Sequence, residues 1–97
     1  MEEMKNLVAL ARDGDAYAYG QLVQRLQAPA LAKARHILRD YHLAEDAVQE
    51  AFVAAYTDLG KLRDPQAFTA WLLRIVAHRC HRLLRGQPPR SVALDQT

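Results

Sequence analysis

The chain has one cysteine in 97 residues, and that scarcity is its first constraint. Cys80 cannot close an internal disulfide, and no Cys-x-x-Cys spacing exists for zinc or thiol redox work. A reducing compartment follows as the expectation, and with it a cytoplasmic setting. Long apolar runs are missing too: nothing approaches the about 18 residues that a membrane-crossing helix needs, so no membrane partner is expected. The opening MEEMKNLVAL begins on acids without an apolar centre and reads as neither a signal nor a transit peptide. A glycine-rich phosphate loop, a nucleophile and base at useful spacing, and paired carboxylates beside a plausible cleft are also lacking. The expectation is a protein with no catalytic residue, no cofactor and no metal, and not an enzyme.

What is present is apolar residue in quantity, 51% of the chain, with a net charge of only +2. That length supports one small domain with a single core. The charge is divided along the chain: residues 1–50 carry six Lys or Arg against eight Asp or Glu, and residues 51–97 carry seven against three. An acidic face for one partner and a basic face for another is the implication.

Helical spacing recurs throughout and no strand pattern is visible, so the expected fold is all-α, a compact bundle of about four helices with no sheet. Leu7, Val8 and Ala11 mark a first helix over 3–12, stopped by Asp13-Gly14. Asp15 can cap a second over 16–27, with Tyr19, Leu22, Val23 and Leu26 inward. Pro29 either kinks that helix or starts a new one running to about Leu38. After a polar bend at 39–42, a helix over 43–59 is closed by Gly60 in the left-handed conformation. Asp64-Pro65 starts the last helix, 64–85, which Gly86 ends. Residues 1–86 form the domain, and 87–97, with two prolines and no period, read as an extended linker or disordered tail.

Two helix surfaces carry the functional signal. In residues 64–85, Phe68, Leu72, Ile75, Val76, Leu83 and Leu84 share one arc, and Arg74, His78, His81, Arg82 and Arg85 share the other with no acid among them. Trp71 stands at the margin of that basic stripe, as a core anchor and as a ring on which a base can stack. A basic groove with an interleaved aromatic suits single-stranded nucleic acid. Arg79 falls inside the apolar arc, where it either snorkels or pairs with an acid such as Asp58. In residues 43–59, Val48, Phe52, Ala55 and Leu59 face the core, while Asp46, Gln49, Glu50, Val53 and Thr57 face outward. That outer arc suits a basic partner with a small apolar contact. The side chains of His78, Cys80 and His81 diverge on a helix and are not read as metal ligands; Cys80 reads as a small buried hydrophobe. Tyr17, Tyr19, Tyr41 and Tyr56 read as packing or rim residues.

The run AEDAVQEAFVAAY at 44–56, the loop Lys61-Leu62-Arg63, and AFTAWLLRIVAHRCHRLLR at 67–85 together resemble region 2 of the sigma-70 family, in its extracytoplasmic-function (ECF) group. Gly14-Asp15 ahead of Leu22-Val23-Gln24-Arg25 is similar to the start of the same region. The combination Asp-x-x-Gln-Glu-x-Phe followed by Ala-Phe-x-x-Trp-Leu-x-Arg-Ile carries the resemblance.

The resemblance implies that Asp46, Gln49, Glu50 and Val53 dock on the β′ clamp helices of core RNA polymerase. It also implies that Lys61, Leu62, Arg63 and the stripe of the last helix, with Trp71, Arg74, His78, His81, Arg82 and Arg85, engage the single-stranded non-template strand of the minus-ten promoter element and trap an unstacked base. An anti-sigma factor is a further implied partner. The family commonly places asparagine where this chain has His78, aspartate where it has Arg82, and an acidic cap where it has Leu43, with His42 or Asp40 as weak substitutes. An imidazole offers one donor and one acceptor when neutral, unlike a carboxamide, so the family's base preference is not carried over. Relatives normally continue into a helix-turn-helix domain, and the chain therefore reads as an excised domain. The alternative is an all-helical interaction module, a sigma mimic that does not touch DNA; the retained arginines Arg74, Arg79, Arg82 and Arg85 speak against it.

Overall fold

A computed structural model describes residues 2–86; the expected tail at 87–97 lies outside the described residues. Four helices make up the fold there: α1 (Glu2–Arg12), α2 (Ala16–Leu38), α3 (Tyr41–Thr57) and α4 (Phe68–Leu84), with short 3-10 turns at Leu59–Lys61 and Pro65–Ala67. No strand occurs among the described residues, as the all-α expectation required.

The starts of α2 and α3 have a side-chain reason. The chain leaves α1 through Gly14, whose φ of 104° suits a residue without a Cβ. The Asp15 carboxylate then accepts from the Ala18 amide at 3.1 Å and opens α2. Pro29 neither breaks α2 nor begins a new helix; α2 is a single element of 23 residues running through it. Pro29 is exposed, and so is Arg25, whose carbonyl loses its amide donor. Solvent can serve that carbonyl, while Leu22, Leu26, Ala30 and Ala34, spaced by four, hold the opposite face in the core.

Three boundaries differ from expectation. The polar bend shrinks to two residues, because α3 begins at Tyr41 with the Asp40 carboxylate accepting from the Leu43 amide at 3.1 Å. Asp40 is therefore the cap, while Arg39 closes α2 at φ 62° with its amide bonded to the Arg35 carbonyl. Gly60 is not left-handed; α3 stops at Thr57 and Gly60 lies in the turn Leu59–Lys61. Leu59 and Leu62 explain this: both are buried, and the three-residue period of a 3-10 turn aligns them on one side. Asp64 caps the Pro65–Ala67 turn through the Gln66 amide, so α4 itself begins only at Phe68. Gly86 closes it at φ 69°, as expected.

The long α2 packs against α1, α3 and α4, and α3 packs on α4. Phe68, Leu72, Val76 and Cys80, again spaced by four, are the buried line of α4. Leu84 was expected in the apolar arc but is 57% exposed. It lies about 100° round the helix from the centre of the buried line, where Leu83 sits and packs against the core. Among the described residues no charged group is buried. Tyr19 donates its phenol hydroxyl to the Phe52 carbonyl inside the core, with its ring centroid 4.7 Å from that of Tyr56. Burial first, and Tyr56 second, push the Tyr19 hydroxyl well above the usual tyrosine range.

Candidate functional site

Two antiparallel neighbours, α3 and α4, build the site. Glu50 meets Arg79, and Ala54 shares a groove with Trp71 and Ile75, which fixes the direction of one helix against the other. Every residue of the basic arc, Arg74, His78, His81, Arg82 and Arg85, is exposed. Trp71 is half-buried, 5.9 Å between ring centroids from Phe68, so it is anchored in the core and still walls a groove. That groove, of about 560 Å³, is lined by Ala54, Asp58, Trp71, Arg74, Ile75, His78 and Arg79. Its aromatic and aliphatic residues stand among the cationic and imidazole groups of the same helix, with Ala54 and Asp58 on the α3 side, a surface that can hold a flat ring beside a phosphate.

A second, smaller groove of about 330 Å³ lies on the α3 side, lined by Gln49, Glu50, Val53, Ala54 and Arg79. Asp46, Gln49, Glu50, Val53 and Thr57 are all exposed, Val53 to 67%. The sequence thus brings the four residues Asp46, Gln49, Glu50 and Val53 onto one solvent-facing surface. An exposed valine beside the Glu50 carboxylate offers an apolar contact flanked by charge.

The connecting loop is only partly available to a ligand. Lys61 is exposed and pairs with Asp58 at 3.6 Å, and Arg63 is exposed. Leu62 is 6% exposed and belongs to the core; its side chain anchors the loop and faces no ligand. Sequence reasoning missed what else holds this loop. Arg12, at the end of α1, donates from Nη1 to the carbonyl of Leu62 at 2.9 Å and lies 3.3 Å from that of Arg63. No local pattern signals a contact between residues fifty positions apart.

Arg79 resolves differently from the example given by the sequence. Its partner is Glu50, Nη1 to Oε1 at 3.4 Å, while Asp58 is taken by Lys61. Cys80 is fully buried, and burial raises its thiol pKa, whereas His78 and His81 are exposed. The three side chains diverge, and no metal-binding cluster occurs among the described residues. No helix of the described residues is long and apolar enough to cross a membrane.

An all-helical bundle with an acidic helix face laid beside a basic one defines a binding domain with two outward surfaces. The chain belongs to the sigma-70 region 2 family, which it matches over residues 22–88, and that family is not enzymatic. The RNA polymerase sigma-H factor of Pseudomonas aeruginosa is 36% identical over 90 residues, covering 91% of this chain and 47% of the relative. The ECF RNA polymerase sigma factor SigM of Mycobacterium tuberculosis is 37% identical over 90 residues, 92% of this chain and 46% of the relative. The ECF RNA polymerase sigma-E factor of Escherichia coli is 34% identical over 89 residues, 92% of this chain and 46% of the relative. No solved structure gives a significant match. The chain spans about half the length of these relatives.

Proposed function

We propose that this chain is the core-binding, promoter-melting domain of an alternative sigma factor of the ECF type. The observation that carries the reading is the contrast between neighbours: α3 contains Glu45, Asp46 and Glu50 with no Lys or Arg, and α4 contains Arg74, Arg79 and Arg82 with no acid. One helix suits a basic protein surface and the other suits a nucleic-acid strand.

On the α3 side, Asp46, Gln49, Glu50 and Val53 would meet the β′ clamp helices of core RNA polymerase. On the α4 side, Lys61, Arg63, Arg74, His81, Arg82 and Arg85 would contact phosphates of the non-template strand, with Leu62 fixing the loop from within. Trp71 and His78, on the groove between the helices, would receive the unstacked base. Extruding a base costs a few kcal/mol, and aromatic stacking recovers about 1–3 kcal/mol only when the strand is single. The domain then favours the melted strand over the duplex without breaking a bond. Working in the cytoplasm, such a domain would be covered in its resting state by an anti-sigma factor. Residues 87–97 would lead to a second domain that selects the promoter.

The test is binding of the 97-residue chain to fluorescent single-stranded oligonucleotides that vary each base of a minus-ten-like sequence, across salt. Binding should weaken as salt rises, Arg82→Ala should reduce the logarithmic salt slope by about 0.7, and His78→Asn should move the base preference. Absence of binding even at low salt would favour a protein-interaction module that does not touch DNA.

A further inference from the structure

The loop between α3 and α4 is held at the point where its own backbone supplies no donor. Between the turns Leu59–Lys61 and Pro65–Ala67 the chain is extended, with ψ of 121° at Leu62 and φ of −110° at Asp64. Extended backbone sends successive side chains to opposite sides: Lys61 and Arg63 are exposed, and Leu62 is buried. The carbonyls of Asp58, Leu59, Asp64 and Pro65 each accept from a main-chain amide. Those of Leu62 and Arg63 accept from none among the described residues.

Arg12 supplies the missing donor. Its Nη1 donates to the Leu62 carbonyl at 2.9 Å and to the Arg63 carbonyl at 3.3 Å. Arg12 ends α1, which packs on both turns, so the guanidinium reaches the loop from a helix already seated beside it. Asp13 and Asp15 stand close in sequence, yet Arg12 forms no ion pair among the described residues. A cation in the last turn of a helix is favoured by the helix dipole alone. The dipole accounts for the charge but not for a donor placed on two carbonyls of another element.

We propose that Arg12 is the positioning residue of the strand-binding loop: from the end of α1 it fixes the Leu62 and Arg63 peptide planes, so that the Lys61 and Arg63 side chains meet the strand from one loop conformation. The inference rests on the sigma reading above. Two ties divide the work. Leu62 holds the loop to the core, and Arg12 sets the direction in which Arg63 projects. A loop held in its binding conformation has less freedom to lose on binding, and affinity gains by that amount.

The experiment uses the full 97-residue chain and its Arg12→Ala, Arg12→Lys, Arg63→Gln and Arg12→Ala/Arg63→Gln variants, with thermal melting to confirm folding. Its first readout is trypsin cleavage of the native protein without any ligand. In Arg12→Ala, cleavage after Lys61 and Arg63 should quicken by about two- to tenfold, the span of one hydrogen-bonded tie, measured against cleavage after Lys33 within α2 of the same sample. Arg12→Lys keeps a donor on a long side chain and should regain most of the resistance. The second readout is single-stranded oligonucleotide binding across salt. Arg12→Ala should weaken it on the same scale, and the loss caused by Arg63→Gln should shrink in the Arg12→Ala background, because an unheld loop no longer presents Arg63.

Unchanged cleavage in the loop, or losses of binding that simply add, would overturn the positioning role while leaving strand binding intact. Added losses with a shallower salt slope for Arg12→Ala would make Arg12 a phosphate contact in its own right. If the wild type binds no strand at any salt while Arg12→Ala is still cleaved faster in the loop, the sigma reading of the loop fails and Arg12 is a tie of the fold alone.

Discussion

Helices α3 and α4 are the same length, 17 residues each, pack on the same α2 and place buried residues about every four positions. Their inner faces are built alike and their outer faces carry opposite charge. Where the core is fixed by spacing, the residues left over are free to be chosen for partners. The means of attachment differ as well. Tyr19 of α2 reaches the α3 backbone through a hydrogen bond to the Phe52 carbonyl, whereas α4 presents an apolar buried line ending in Cys80.

Both faces stand on one shared core. Phe68 is the largest fully buried side chain among the described residues, and Phe68→Ala should cost about 3–5 kcal/mol in denaturant unfolding. Polymerase binding and strand binding should then fall together. A smaller change should separate them. Val53→Asp adds a third carboxylate to the surface of Asp46, Gln49, Glu50 and Val53; the proposed polymerase affinity should drop by about 2 kcal/mol, with melting temperature and strand binding nearly unchanged. Loss of strand binding by that variant in the absence of polymerase would show that the α3 surface also shapes the α4 groove.

The smallest effect concerns pH. The fold raises the Tyr19 pKa, so it prefers the protonated phenol. The stability this supplies is complete below the ordinary tyrosine value of about 10 and is lost as pH rises beyond it. Tyr19→Phe should lower stability near neutrality by about 1 kcal/mol and flatten the alkaline part of the stability curve above pH about 10. Cys80, raised in the same direction by burial, should keep an earlier alkaline loss in that variant. Unfolding curves from pH 7 to 11 check both.

Most of the architecture was legible because spacing and caps are local. Asp15, Asp64 and Gly86 act where they stand, and the outer residues of both helices face outward as the helical wheel requires. Several of the misreadings occurred where a distant contact decides. The 3-10 turn at Gly60 exists because Leu59 and Leu62 are both drawn into the core, and Leu62 is hidden for the same reason. Leu84 was misplaced because a buried line of residues four apart drifts around the helix, and the wheel averaged over the drift. Arg12 on the Leu62 carbonyl and Glu50 on Arg79 join elements that the chain order separates, so neither partner is named by its own neighbours. Pro29 left two possibilities in sequence, and the core side of α2 decides for one continuous helix.

The corner between α2 and α3 has a consequence for how such a domain can vary. It consists of Arg39 and Asp40 alone, the first spent on closing one helix and the second on opening the next. Neither residue is spare. An inserted residue there would part the Arg39 closure from the Asp40 cap, so that one of the two caps or the seat of the α3 alanines in the core would have to give way. Length can therefore change elsewhere on the surface, but at this elbow the chain tolerates new side chains far better than new residues.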